Sequence, residues 1–277
     1  MAEKRVPGLG GVQETLLVPL WARAVETRKR RGVLSDPRAV ELVEALDYDF
    51  SPFDDPKVVL GSNLRTLVFD AWVRRFLDEH PGGTVVEIGA GLNTRFERLD
   101  NGTVHWFDLD LPDVMELRRA FFDDTSRRHG IAASVTDASW VERVRRSPGP
   151  YFLAAEAVLF YLEEPAVRGV FGRVAERLPG VLLAADTASG LGLDTEGRQD
   201  VMSRAAARMR WHCADPRTVE RWGAGIELLD SRTLAGLPTA VRRRLPLRHR
   251  AMLRVASALY RRRLAAYRFN LFRIGTR

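Results

Sequence analysis

The chain has 277 residues, 45% hydrophobic and 29% charged, which is enough apolar material for a large core and the profile of a soluble globular protein. Its net charge of +7 is a tail property: residues 241–277 hold twelve arginines and no acid, leaving −5 for residues 1–240, so nucleic acid is not the expected partner. The single Cys213 excludes an intramolecular disulfide and a cysteine metal cage, and no H-x-x-H or clustered aspartates point to a metal. No apolar run approaches the roughly 20 residues of a membrane span, and "MAEKRVPGLGGVQET" lacks the apolar core of a secretion signal; no membrane partner and a cytoplasmic location are expected.

Residues 12–78 read as helical. Leu16, Leu17, Leu20 and Ala24 fall at helical spacing, Ser35 or Asp36 caps a helix that opens at Pro37, and "NLRTLVFDAWVRRFLDEH" continues the pattern to the break "PGG" at 81–83. Short apolar runs then alternate with helical segments: Thr84–Ile88, 103–112, 151–162 and 181–187. Such alternation predicts an α/β fold with a parallel sheet covered on both faces. "DPRTVERWG" predicts a short capped helix, "IELLD" a strand, and "YRFNLFRIG" a terminal strand. We expect one domain over 1–277: a helical N-terminal cap (1–80), a core (81–187), a lid insertion (188–224), and a C-terminal helix with strands (225–277).

The turn "VVEIGAGLNTRFERL" follows the first strand. A dinucleotide fingerprint wants G-x-G-x-x-G, and here Gly89 and Gly91 are followed by Thr94 at the third position. Glu87 stands ahead of them at the strand end, where a carboxylate suits a cofactor with an amino group and hydroxyls better than a pyrophosphate. Asp110 ends the second strand nineteen residues after Gly91, about where an acid meets a ribose in this architecture. A nucleoside-bearing methyl donor is thus favoured over a dinucleotide.

"VVEIGAGLNTRF", "WFDLDLPDVMELRR" and "AEAVLFYLEEPAV" together resemble the leucine carboxyl methyltransferase family of S-adenosylmethionine-dependent enzymes. "GVQETLLVPLWARAVETR" and "SVTDASWVERV" are similar to its bacterial branch of tetracenomycin-type polyketide O-methyltransferases. The resemblance runs from about residue 12 to the terminal strand and implies a Rossmann-like class I methyltransferase fold, a mostly parallel seven-stranded sheet. It implies that Gly89 meets the methionine part of the donor, Asp110 the ribose hydroxyls, Arg65 the donor carboxylate, Glu156 the methionyl group, and Arg23 the region of the same carboxylate. Ser134 and Val135, with Asp137 an alternative, fall nearest the adenine edge.

An acceptor carboxylate, with an ordinary pKa near 4, is ionised at neutral pH and needs no base, whereas a phenol near pKa 10 usually does. Of His80, His105, His129, His212 and His249, only His212 follows the expected lid; Trp211 and His212 are candidates for an aromatic acceptor pocket, and Tyr161 for a substrate or sulfonium contact. The favoured acceptor is a small-molecule carboxylic acid, a polyketide or other natural product, with a hydroxyl of a similar molecule second. A third possibility, from another class, is a non-catalytic protein that docks on nucleic acid or an anionic membrane through "PLRHRAMLRVASALYRRRLAAY". That segment is amphipathic, and packing against the sheet with a solvated arginine face is its expected state.

Overall fold

The computed structural model describes residues 4–10, 13–189 and 209–275. Three helices form the cap: α1 (Leu17–Thr27), α2 (Pro37–Ala45) and α3 (Pro56–Glu79). The Asp36 carboxylate caps α2 by accepting from the Ala39 N–H at 3.0 Å, and Asp55 caps α3 at Lys57 N (2.7 Å); such caps contribute about 1 kcal/mol each. The apolar residues of α1 and α2 pack with Phe50 and Phe53 onto Leu92 and Leu117, which belong to the core. The cap therefore sits directly on the glycine turn.

The core alternates β1 (Thr84–Ile88), α4 (Arg95–Leu99), β2 (His105–Asp110), α5 (Pro112–Arg119), β3 (Arg128–Ala132), α6 (Ser139–Val144), β4 (Tyr151–Ala155), α7 (Glu164–Arg177) and β5 (Val181–Ala188). β6 (Glu227–Arg232) follows, then α8 (Thr239–Arg244), α9 (Leu247–Leu259), α10 (Arg261–Ala265) and β7 (Tyr267–Ile274). The seven strands lie in the order β3-β2-β1-β4-β5-β7-β6, with β1 to β5 parallel and β7 antiparallel to both neighbours. Alternate residues feed two cores. Val86, Ile88 and Leu153 face Trp140 and Phe171, while Val85, Trp106 and Phe152 face Trp72 and Phe76 of α3. Burial on both faces explains why these strands read as continuous apolar runs.

Two elements depart from expectation. β3, "RHGIA", is not among the apolar runs because it is an edge strand; its buried Arg128 pairs with Asp108 (2.7 Å) and lies over the Phe96 and Phe122 rings. The sequence pattern predicts a C-terminal helix packed on the sheet, yet α9 has no fully buried residue. β7 does not need it: β5 pairs with β7 from Val181↔Ile274 to Ala188↔Tyr267, and β6 flanks the other edge. Of the expected lid at 188–224, residues 190–208 lie outside the described residues. The chain after it enters the core through buried Trp211 and Cys213 and makes an Asp215-capped 3-10 turn, Pro216–Trp222.

Candidate active site

Strand order reverses between β1 and β4, and the carboxyl ends of strands at such a switch point leave a crevice for a ligand. A cavity of about 530 Å³ opens there. Its walls include Arg23, Arg65, Gly89, Gly91, Asp110, Ser134, Val135, Glu156 and Tyr161. Nine sequence candidates are thereby brought together from separate stretches of chain.

The turn after β1 is built for close approach. Gly89 has φ +66° and Gly91 φ +46°, a region side chains disfavour. A Cβ on Gly89 would collide with the Val158 side chain, and one on Gly91 would come within 3.1 Å of Leu16. The Gly91 N–H donates to Asp110 Oδ2 and the Leu111 N–H to Asp110 Oδ1, both at 2.7 Å. Burial pushes the Asp110 carboxyl above its ordinary value despite these bonds. Behind the turn, Arg118 donates to the carbonyls of Gly91 (2.6 Å) and Asn93 (3.0 Å) and pairs with Asp108 (2.9 Å). Thr94, where a dinucleotide site would have its third glycine, is fully buried and donates to Asp36 of the cap.

Glu156, just beyond β4, accepts from Arg65 Nε at 2.8 Å and Thr66 Oγ1 at 3.2 Å on one oxygen and from Arg95 on the other. Burial works to raise its pKa, but Arg65 and Arg95 outweigh burial and hold it below the usual value. Arg95 also binds Glu87 and, at 2.8 Å, Asp70; Arg98 bridges Asp70 (3.0 Å) and Asp36 (2.9 Å), and Arg23 pairs with Asp36 at 2.9 Å. Four arginines and four carboxylates thus form one buried network from the cap to the ends of β1 and β4. Asp36, Asp70, Arg95 and Arg98 carry little sequence signal for it, because each reads as a cap or a polar helix position until its distant partner is known.

Three candidates lie elsewhere. Glu87 does not line the cavity: its carboxylate is 1% exposed and taken up by Arg95 and by Asn93 Nδ2 (2.9 Å). Trp211 is packed in the core with its ring centroid 5.6 Å from Trp222, so it does not reach the cavity. His212 is exposed and lines no part of it, since the two residues alternate in and out of the core. Asp137 turns away too, its Oδ2 accepting from the Ser134 N–H at 3.1 Å and so fixing the Ser134–Val135 wall.

Asp186 and Tyr267 are a pair the sequence did not disclose. Tyr267 lines the cavity and donates to Asp186 Oδ2, whose carboxylate also accepts from the Ala157 N–H at 2.8 Å. Ala157 has φ +59°, a strained state for a non-glycine residue beside Glu156. Burial pushes the Asp186 pKa up to about 6, against the opposing pull of Arg65 and Tyr267. The only hint in the chain is the polar end of "VLLAADT".

The leucine carboxyl methyltransferase family matches residues 17–175, from α1 into α7. The chain belongs to this family. A tetracenomycin polyketide synthesis O-methyltransferase from Streptomyces glaucescens is 33% identical over 83% of this chain and 86% of its own. An S-adenosyl-L-methionine-dependent methyltransferase from Gibberella zeae is 27% identical over 60% of this chain and 61% of its own. Among solved structures, a plantazolicin methyltransferase bound to S-adenosylhomocysteine aligns with TM-score 0.51 at 10% identity, covering 95% of this chain and 97% of its own, a likeness of fold. A Streptomyces avermitilis protein aligns with TM-score 0.55 at 16% identity, over 92% of this chain and 97% of its own.

This member of the leucine carboxyl methyltransferase family is therefore an S-adenosylmethionine-dependent enzyme with a class I fold. Its residues fit that donor: the turn at Gly89 and Gly91 brings backbone to the cavity wall, Asp110 offers a carboxylate, and Leu111, Val114 and Val135 offer apolar walls beside it. No described helix is long and apolar enough to cross a membrane.

Proposed function

We propose that this enzyme methylates the carboxylate of an apolar, ring-bearing small molecule such as a polyketide acid. One observation carries the reading: α3 places Lys57 on a cavity wall that it shares with the apolar Val18, Pro19, Val58, Leu234 and Phe269. A cationic edge on an apolar chamber selects a hydrophobic anion. The name of the Streptomyces glaucescens relative supports the polyketide class.

In this reading Asp110 accepts from the donor's ribose hydroxyls, Ser134 and Val135 flank its adenine, and Gly89 lets its methionine part approach the backbone. Arg65 pairs the donor carboxylate while Glu156 receives its amino group. Arg23, tied to Asp36 and to the Leu92 carbonyl (2.9 Å), holds the turn in place. Tyr161 lines the cavity and is the aromatic ring this reading assigns to the sulfonium. When bound, the donor supplies a methyl group already activated on sulfur. What remains for the chain is to aim an ionised acceptor oxygen at that carbon and to exclude water.

A second reading, methylation of a hydroxyl, is favoured by the Tyr267–Asp186 pair, which offers a phenol-to-carboxylate path for a proton. Donor labelled in its methyl group separates the two. Mild alkali releases label from a methyl ester as volatile methanol and leaves an ether intact; release is expected, with a rate nearly flat from about pH 6 to 8. Alkali-stable label, with a rate that follows an ionisation near that of Asp186 and falls in Tyr267→Phe, would replace the first reading by the second. His212→Ala is expected to leave turnover unchanged.

A further inference from the structure

Between Leu234 and Tyr267 the segment that joins β6 to β7 lines no part of the cavity. Eight large hydrophobic side chains stand exposed among the described residues, and five of them fall within Leu247–Tyr260. Met252, Val255 and Leu259, at 47%, 58% and 69% exposure, recur on one arc of α9, with exposed Ala251 and Ala258 beside them. The opposite arc carries the half-buried Leu253 and Ala256, and Leu253 alone touches the α3-side core. Arg248 heads the apolar arc one turn before Met252 and Arg254 borders it; Arg242, Arg243 and Arg244 precede α9, and Arg262 and Arg263 follow it, all exposed. No aspartate or glutamate follows Asp230 anywhere in the chain. The segment leaves and rejoins the fold at the cavity wall, through Leu234 before it and Tyr267 after it.

We propose that α9 docks on an anionic lipid surface. Met252, Val255 and Leu259 enter the headgroup boundary, and the flanking arginines meet lipid phosphates. An aliphatic arc edged by cations is the pattern of a helix that lies in the interface plane. This proposal sets aside the expectation of no membrane partner, since a helix lying in the interface plane needs no spanning segment. Nucleic acid would account for the arginines but leave the aliphatic arc against water. A second copy docked face to face would set arginines against arginines with no acid to answer them. A lipid surface satisfies both halves of the pattern at once, and it would bring the cavity wall close to the phase in which an apolar acceptor accumulates.

The test uses the full chain with vesicles of phosphatidylcholine alone and of phosphatidylcholine mixed with phosphatidylglycerol, separated by flotation. Association with the mixed vesicles only, fading as salt is raised, is expected. Met252→Ser with Val255→Ser and Leu259→Ser keeps the charge and should cut the bound-to-free ratio about tenfold or more. Arg248→Gln with Arg254→Gln should cut it about 30-fold, at roughly 1 kcal/mol per arginine. Both variants should retain wild-type affinity for S-adenosylhomocysteine, which reports that the fold is intact. Absence of association at low salt overturns the proposal. So does equal retention on duplex DNA or polyglutamate with the serine variant indifferent, and so does a dimer that the serine variant dissolves without any vesicle binding.

Discussion

Arginine does opposite work in two regions of this molecule. Around the glycine turn, Arg23, Arg95 and Arg98 are almost wholly buried, each held by carboxylates from a different segment of chain. Between β6 and β7, Arg242, Arg243, Arg244, Arg248, Arg254, Arg262 and Arg263 stand exposed near aliphatic side chains, with no acid in that stretch. In the first region the planar guanidinium joins several carboxylates at fixed angles, and the network aligns the cap with the strand ends. In the second the same group is a surface charge whose partner must come from outside. Composition alone cannot separate these uses; the supply of carboxylates within reach does.

The largest effect should come from breaking the buried side of this contrast. Arg95→Met leaves Glu87, Glu156 and Asp70 short of a common partner and should lower the unfolding free energy by about 3–5 kcal/mol, against a change within about 0.5 kcal/mol for Arg248→Gln with Arg254→Gln. Equal denaturation midpoints for the two variants would erase the distinction. Next comes Asp186, a buried carboxylate with no ion pair as close as those of Glu156. Its folded pKa of about 6 lies above the ordinary 3.8, so the folded state binds the proton more tightly and gains stability as pH falls from about 7 toward 4. The gain has a ceiling of about 3 kcal/mol and should vanish in Asp186→Asn. Asp70 runs the other way: burial opposes ionisation, but Arg98 and Arg95 hold its pKa at about 2, so its contribution is present at neutral pH and is lost only as pH falls toward that value. A melting temperature that declines steadily from pH 7 in wild type and Asn variant alike would refute the Asp186 assignment. Smaller still is Asp110→Ala. Asp110 is held by two backbone N–H groups instead of an arginine, so its loss should spare the fold and weaken S-adenosylmethionine by about 1.5–3 kcal/mol in calorimetry.

The parts of the site that were legible in the sequence are those fixed by local chemistry. Two glycines, an apolar run before them and an acid at the end of the next strand are set by neighbours in the chain, and the fold places Gly89, Gly91 and Asp110 on one cavity. Arg65 and Glu156 were found only through the resemblance. What was not legible depends on partners far away in sequence. Arg95 reads as an ordinary residue of "RFERL" until Asp70 and Glu156 are brought to it, 25 and 61 residues distant. Trp211 and His212 read as a pair, yet an extended chain sends neighbours to opposite sides, one into the core and one to water. β3 was missed because an edge strand tied by an ion pair has no apolar alternation to detect, and α9 because amphipathicity does not say which face meets protein.

Asp36 serves four masters at once: it starts α2 and accepts from Arg23, Thr94 and Arg98. Positions 23, 36, 94 and 98 are therefore one chemical unit, joined through a single carboxylate. Replacing Thr94 by the third glycine of a dinucleotide turn would remove the hydroxyl that anchors the cap there, while Asp36 would keep Arg23, Arg98 and the start of α2.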